Sequence, residues 1–130
     1  MNSHPKRVLC VEDEEDISSM IVSLLSLIEC EVVLARTFDE AHRKIREEHF
    51  DLYLLDNWLP GGSGIELCRR VREMDKTTPI IFYSGAAYDS DKREAVEAGA
   101  QAYLVKPVDI ASLVDTIKNL LPTDGSSPAS

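Results

Sequence analysis

The sequence is short of aromatic residues, basic residues and long apolar runs. Aromatic residues make up 6% of its 130 positions, and 14 lysines and arginines stand against 23 aspartates and glutamates, which gives a net charge of −9. Such a surface repels a phosphate backbone, which argues against direct binding to nucleic acid. The longest apolar-rich segment, residues 17–28, is interrupted by serines and is shorter than the roughly 20 residues of a membrane-spanning helix.

The sequence also lacks the cysteine patterns of disulfide-rich and zinc-binding proteins. Cys10, Cys30 and Cys68 are odd in number and form neither a C-x-x-C motif nor a metal-ligand spacing. The first residues are polar, and no apolar core of a signal peptide follows them. These absences predict a soluble protein of a reducing compartment, the cytoplasm, and at this length one globular domain with a single core.

The most informative stretch is residues 50–64, in which an apolar run ends at a carboxylate. Leu52–Leu55 precedes Asp56, and Pro60 with glycines at positions 61, 62 and 64 follows it. Four apolar residues before such a turn-forming segment predict a buried strand that delivers Asp56 to a loop. An aspartate in this place is as often a turn former or a helix cap as a functional group. Its role therefore depends on what other strands bring to the same edge.

Short apolar runs alternate with helical patterns along the chain. The predicted strands are residues 7–11, 31–35, 52–55, 79–83 and 102–105. Helical patterns begin at residue 17, at the capping box formed by Thr37 and Glu40, at Ser63, at residues 89–90 and near Asp109. Gly99 is predicted to end the fourth helix as a left-handed cap.

This alternation predicts an α/β fold with a parallel sheet covered on both faces, because each parallel crossover needs a covering helix. The strand orders 2-1-3-4-5 and 3-2-1-4-5 both fit the pattern, and both place ligands at the carboxyl ends of the strands where the order reverses. The domain is predicted to span residues 6–122. The polar segments 1–5 and 123–130 are predicted to be flexible tails.

Four of the five predicted strands end in residues that can do chemistry. Glu12 and Asp13 follow the first strand, Asp56 the third, Ser84 the fourth and Lys106 the fifth. In the order 2-1-3-4-5 these four strands are consecutive in space. Carboxylates gathered at one edge repel one another unless a cation binds, and oxygen ligands favour Mg²⁺ or Mn²⁺. An ionised aspartate beside a metal, a lysine and a hydroxyl can form an aspartyl phosphate.

These residues resemble the receiver domain of two-component response regulators, of the chemotaxis-regulator type, over residues 7–121. The resemblance implies a flavodoxin-like (βα)5 doubly wound sheet of strand order 2-1-3-4-5. It implies that Asp56 is the phosphoacceptor and that Asp13 and Asp56 bind Mg²⁺ or Mn²⁺ directly. It further implies that Glu12 acts on the metal mostly through water and that the backbone carbonyl of Trp58 completes the protein ligands.

The same resemblance implies a switch. Ser84 corresponds to the switch hydroxyl, Tyr103 to the switch aromatic and Lys106 to the lysine that pairs with the phosphoryl group, while Lys106–Pro107 corresponds to the family's cis peptide. A histidine kinase or a histidine phosphotransfer protein would phosphorylate the domain. Phosphorylation would then alter the face made by the fourth helix, fifth strand and fifth helix, and so the binding of a downstream protein or an output domain.

On this resemblance the domain is not an enzyme beyond catalysing its own phosphotransfer and dephosphorylation, and it is either a stand-alone regulator or a piece of a longer one. Glu12 and Ser84 replace the commoner aspartate and threonine, and Trp58 is a less usual residue that bears on the lifetime of the acyl phosphate.

A haloacid-dehalogenase-type phosphatase needs an aspartate where Trp58 stands. A flavodoxin-like FMN binder needs a Ser/Thr-rich loop where residues 12–16 are acidic. The remaining alternative is a pseudo-receiver that binds proteins without being phosphorylated.

Overall fold

The computed structural model of the protein describes residues 5–122. These residues contain seven strands, namely β1 (Lys6–Val11), β2 (Cys30–Ala35), β3 (Leu52–Leu55), β4 (Trp58–Leu59), β5 (Gly62–Ser63), β6 (Ile80–Ser84) and β7 (Ala102–Val105). The helices are α1 (Glu15–Ser26), α2 (Phe38–Glu47), α3 (Gly64–Met74), α4 (Asp89–Ala98) and α5 (Ile110–Leu120). The tails predicted at residues 1–5 and 123–130 lie, except for Pro5, outside the described residues.

Five of the strands form one parallel sheet in the order β2-β1-β3-β6-β7. Since β6 and β7 are the fourth and fifth strands predicted from the sequence, this is the order 2-1-3-4-5, and the alternative order 3-2-1-4-5 is excluded. The α/β, flavodoxin-like fold is therefore confirmed. All residues of β3 and β6 are buried, as expected for central strands covered by helices on both faces.

Alternate side chains of the strands pack into two apolar layers. Leu9 and Val11 of β1 face the layer that also holds buried residues of α2, α3 and α4, whereas Val8 and Cys10 face the layer with α1 and α5. The period-two alternation of a strand produces this division. Within the described residues, none of the helices has the length and apolarity needed to cross a lipid bilayer.

The helix starts predicted from hydroxyl and carboxylate residues are largely those observed. The side chains of Thr37, Ser63 and Asp109 each accept a hydrogen bond from a backbone N–H in the first turn of the helix that follows. The capping box at Thr37 is incomplete, because the Glu40 carboxylate accepts from the N–H of Arg36 and not from that of Thr37. Gly99 ends α4 with φ +115°, as predicted for a left-handed cap.

A two-stranded antiparallel hairpin, β4–β5, was not predicted in the loop after Asp56. Trp58 pairs with Ser63 and Leu59 with Gly62. The N–H of Phe38, at the start of α2, donates to the carbonyl oxygen of Pro60 at 3.0 Å and so ties the tip of the hairpin to that helix. The hairpin therefore gives the loop after β3 a fixed shape.

At the amino ends of the parallel strands, Asp75 stabilises the connection from α3 to β6. Its carboxylate accepts from the N–H groups of Thr77 and Thr78, each at 3.0 Å, and from the Thr78 hydroxyl. Burial acts to raise the pKa of Asp75, but the bonds from Thr78 and Thr77 outweigh it and lower the pKa below its ordinary value.

Candidate functional site

The residues predicted to do chemistry meet at the carboxyl edge of the sheet. Carboxylate oxygens of Glu12, Asp13 and Asp56 all lie within 4.8 Å of one another. The ammonium group of Lys106 lies 2.9 Å from Glu12 Oε1 and 3.0 Å from Asp56 Oδ2. Because β1, β3, β6 and β7 are neighbours in the sheet, residues far apart in sequence form one cluster.

Burial and the neighbouring charges have opposite effects on pKa values in this cluster. Glu12 and Asp56 are 2% and 5% exposed, so water hardly screens them. Burial raises the pKa of Glu12, and the hydrogen bonds from Lys106 and from the Glu14 N–H oppose that increase. For Lys106, burial alone would lower the pKa, but the bonds to Glu12 and Asp56 outweigh burial and raise it.

The donor set fits a small divalent cation. With all groups ionised, three carboxylates and one ammonium group leave two more negative charges than positive ones at the cluster. Mg²⁺ prefers oxygen ligands and usually takes one or two carboxylates while it keeps several waters. Asp13 is exposed at the mouth of the cluster, whereas Glu12 already accepts from Lys106 and from the Glu14 N–H, which suits a contact through water.

Asp56 is held by both of its carboxylate oxygens. Oδ1 accepts from the N–H of Trp58 at 3.2 Å, and Oδ2 accepts from Lys106. Its backbone N–H donates to the carbonyl oxygen of Val11, which continues the ladder between β3 and β1. This carboxylate is therefore oriented before any ligand arrives.

Gly64 allows α3 to start directly against the backbone of the loop that follows β3. A Cβ at this position would clash with the Asp56 carbonyl oxygen and would lie 2.8 Å from Cε2 of Phe82 and 3.0 Å from Cα of Asn57. Only glycine permits such a close approach of a helix to a neighbouring backbone.

Ser84 is completely buried at the end of β6. Its Oγ accepts from the N–H of Asn57 at 3.3 Å and from the N–H of Ala86 at 3.2 Å. A hydroxyl that accepts two bonds still has its own hydrogen to donate. The residue predicted as the switch hydroxyl thus lies between the loop after Asp56 and the loop after β6.

Tyr103, the predicted switch aromatic, approaches the same loop from β7. Its ring stacks on Phe82 with centroids 5.4 Å apart, and its hydroxyl donates to the carbonyl oxygen of Ala86 at 2.5 Å. Burial raises the pKa of Tyr103, although the neighbouring Ser84 and Asn57 side chains act to lower it. The Lys106–Pro107 peptide bond beyond β7 is cis, as the resemblance implies.

Comparison with known proteins identifies the family to which this arrangement belongs. The family model described as "Response regulator receiver domain" matches residues 8–118. The chain belongs to the response regulator receiver domain family.

Curated relatives are longer than this receiver domain. It is 36% identical over 129 residues to the phosphate regulon transcriptional regulatory protein PhoB of Pseudomonas aeruginosa, and the matched segment covers 95% of this chain and 56% of that protein. It is 36% identical over 115 residues to the transcriptional regulatory protein ResD of Bacillus subtilis, covering 88% of this chain and 48% of that protein. The chain therefore spans about half the length of these relatives.

Solved structures of similar receiver domains have the same fold. A response regulator receiver domain protein (CheY-like) from Methanospirillum hungatei superposes with a TM-score of 0.85 at 33% identity, covering 88% of this chain and 92% of that one. The receiver domain of the sensor histidine kinase PA1611 from Pseudomonas aeruginosa gives a TM-score of 0.81 at 26% identity, covering 89% and 97%. That structure is described as having a magnesium ion coordinated in its active-site cleft.

Trp58 lies on the surface of this receiver domain beside the cluster. It is 64% exposed, and a Cβ placed on Gly85 would lie 3.7 Å from Cζ3 of its indole. The indole therefore reaches the loop after β6 while most of it stays exposed. The role of the Trp58 carbonyl as a metal ligand stays a prediction.

Sequence reasoning did not find Asn57. This residue is 6% exposed, and its side-chain Oδ1 accepts from the N–H of Ile65 at 3.2 Å, while its own carbonyl oxygen accepts from the N–H of Gly64 at 2.9 Å. An asparagine between a strand and a Pro-Gly turn is typical of turns, so its position carried no sign of this role. Its partners come from α3 and β6.

Proposed function

We propose that this receiver domain is a phosphorelay module in which Asp56 accepts a phosphoryl group from a histidine kinase or a histidine phosphotransfer protein. The observation that carries the proposal is the contact of one buried carboxylate oxygen, Asp56 Oδ2, with the ammonium group of Lys106 at 3.0 Å, inside a cluster of three carboxylates. A structural ion pair would not need the two further carboxylates of Glu12 and Asp13, whose mutual repulsion lowers stability.

In the proposed reaction an Asp56 oxygen attacks the phosphorus atom of the donor. An O–P bond forms to Asp56 while the P–N bond to the donor histidine breaks, and the electron pair of that bond stays on the histidine nitrogen. Negative charge is spread over the three remaining phosphoryl oxygens during the transfer. Lys106 can exchange its contact with Asp56 Oδ2 for one of these oxygens, and the Ser84 hydroxyl can donate to another.

Asp13 and Asp56 would hold Mg²⁺ or Mn²⁺ directly, Glu12 would contact it through water, and the Trp58 carbonyl would supply a further oxygen. The cation would neutralise phosphoryl charge and the repulsion among the carboxylates. The protein's own contribution is to hold Asp56 in place from both oxygens, and to keep Lys106 protonated by the same contacts that raise its pKa.

Phosphorylation would act through the pair formed by Ser84 and Tyr103. Both bond to Ala86, so a phosphoryl group that draws the Ser84 hydroxyl toward Asp56 changes the environment of the Tyr103 ring. The face made by α4, β7 and α5 would respond and alter binding of a downstream protein or of an output domain elsewhere in a longer chain. The named functions of PhoB and ResD as transcriptional regulators support this role, which we place in the cytoplasm.

Acetyl phosphate with Mg²⁺ provides the test. The wild-type protein should gain one phosphoryl group that hydroxylamine removes, as expected of an acyl phosphate, and Asp56→Asn should gain none. Asp115→Asn, which changes an exposed aspartate of α5, should be labelled like the wild type. Label that persists in Asp56→Asn, or that survives hydroxylamine, would contradict the assignment. Absence of label in a folded wild-type protein would favour the pseudo-receiver alternative.

A further inference from the structure

Asn57 connects three elements around the acceptor. Its N–H donates to Ser84 Oγ at the end of β6, and its carbonyl oxygen and side-chain Oδ1 accept from the N–H groups of Gly64 and Ile65 in the first turn of α3. The residue is 6% exposed, so these bonds are shielded from water. One amino acid directly after Asp56 thereby links the acceptor strand to α3 and to Ser84.

The two bonds to α3 fix the backbone of residue 57. The first N–H groups of a helix have no partners within the helix, and here two of them are satisfied by Asn57 and not by water. The missing side chain of Gly64 lets this turn come close enough, since a Cβ there would lie 3.0 Å from Cα of Asn57. A backbone held from this side can present its own N–H to Ser84 in one direction.

Asn57 is connected to Tyr103 through Ser84 and Ala86. Ser84 Oγ accepts from the N–H of Asn57 at 3.3 Å and from the N–H of Ala86 at 3.2 Å. The carbonyl oxygen of Ala86 in turn accepts from the Tyr103 hydroxyl. A shift of the Asn57 backbone would therefore reach the Tyr103 ring through these bonds.

We propose that Asn57 is a positioning residue of the phosphoryl-transfer site, which fixes the Asp56 loop on α3, directs its N–H to Ser84 Oγ and joins that loop to Tyr103. This inference rests on the proposed function of Asp56 and goes beyond it. A residue that merely capped α3 would contribute to stability without affecting the chemistry or the environment of Tyr103.

The test compares Asn57→Leu with Ser63→Ala. The leucine side chain has a similar size to that of asparagine but can neither donate nor accept a hydrogen bond. Ser63→Ala removes another side-chain bond at the same helix start, from Glu66 N–H to Ser63 Oγ at 3.1 Å. We expect Asn57→Leu to be labelled by acetyl phosphate roughly ten-fold more slowly, because small displacements of reacting groups are costly. Both variants are labelled at saturating Mg²⁺, read from Trp58 fluorescence, so that a change in metal affinity does not affect the rate, and Ser63→Ala should be labelled at the wild-type rate.

A second readout follows Tyr103 itself. With 3-fluorotyrosine incorporated, the ¹⁹F resonance of Tyr103, assigned with Tyr103→Phe, should shift in Asn57→Leu, because losing the acceptor for Ile65 N–H displaces the backbone that reaches Tyr103 through Ser84 and Ala86. It should not shift in Ser63→Ala. This measurement needs no phosphodonor, and Asn57→Ala, which loses the same acceptor, serves if Asn57→Leu does not fold.

The outcomes separate the two proposals. A folded wild-type protein that is not labelled on Asp56 overturns the proposed function and this inference with it. A labelled wild type, with Asn57→Leu labelled as fast as Ser63→Ala, overturns the inference and leaves the function standing. An unshifted Tyr103 resonance in Asn57→Leu likewise contradicts the link to Tyr103.

Discussion

The Tyr103 hydroxyl lies 2.5 Å from the carbonyl oxygen of Ala86, two residues beyond Ser84. The N–H of Ala86 in turn donates to Ser84 Oγ at 3.2 Å. Ala86 is therefore bonded on one side to the hydroxyl of β6 and on the other to the aromatic of β7, so that neither can change its position without affecting the loop between β6 and α4.

Tyr103→Phe should loosen this loop. The substitution leaves the ring on Phe82 but removes the donor to Ala86, at a cost of about 1 kcal/mol in the free energy of unfolding. Urea denaturation would measure the loss, and ¹⁵N relaxation at Ala86 and Ala87 would detect the added motion. Tyr88→Phe, at a side chain that is 78% exposed, is the control and should change neither. Equal stability of wild type and Tyr103→Phe would show that the bond contributes nothing.

Trp58 should report metal binding, because it is the one tryptophan of the sequence and stands two residues after the acceptor. Its fluorescence should change to saturation with Mg²⁺ and change further with beryllofluoride when Asp56 is intact. Asp13→Asn should weaken Mg²⁺ binding several-fold, since one direct carboxylate is lost, whereas Asp115→Asn should not. Trp58→Ala should also change the lifetime of the phosphoryl group. A flat titration in a folded protein would place Trp58 away from the metal.

Gly64→Ala should destabilise the domain by about 3 kcal/mol, because the new methyl group meets the Asp56 carbonyl oxygen and the Phe82 ring and neither can yield easily. The matched control is Gly85→Ala, where the nearest atom to the added Cβ is 3.7 Å away, in ordinary contact. Chemical denaturation of both variants measures the difference. Similar stabilities would mean that α3 can move away from the acceptor loop.

Asp75 should make stability depend on pH in the acid range. Its pKa is lowered in the folded protein, so the ionised carboxylate contributes stability that is fully present above the unfolded-state pKa of about 3.9 and is lost as pH falls through the folded pKa. At neutral pH, Asp75→Ala should lose about 1 kcal/mol, a modest value because the site is partly solvated. The difference from wild type should shrink below pH of about 3.9, as measured by urea unfolding at several pH values.

Asn119→Ala serves as the control for this pH dependence. Asn119 is exposed on α5 and has no titratable group, so its difference from wild type should remain constant with pH. A constant difference for Asp75→Ala as well would contradict a role for its ionised form.

The strands were predictable because their boundaries are marked in the sequence itself. Leu52–Leu55 and Ala102–Val105 are observed with the predicted limits, since polar residues, proline or glycine follow each of them. The placement of Asp56, Ser84 and Lys106 at one edge then follows from the parallel arrangement of the strands. Sequence periodicity reports local structure, and the limits of the strands are local features.

The features that were missed depend on contacts between distant residues. The β4–β5 hairpin is supported by the bond from Phe38 to Pro60, which joins residues 22 positions apart. Asn57 acquires its role from Ser84 and Ile65, 27 and 8 positions along the chain. No pattern of neighbouring residues encodes such bonds, because they exist only after the sheet has brought its loops together.

The complete burial of β3 and β6 has a kinetic consequence. Their amide hydrogens are enclosed by helices on both faces and bonded to strands on both sides, so they should exchange with solvent only when the whole domain unfolds. The loop of residues 85–88 lies outside these two strands and should open locally at a lower free energy. A signal that starts at Asp56 would then pass through the loops at the carboxyl edge and through β7, while the central strands β3 and β6 keep their pairing.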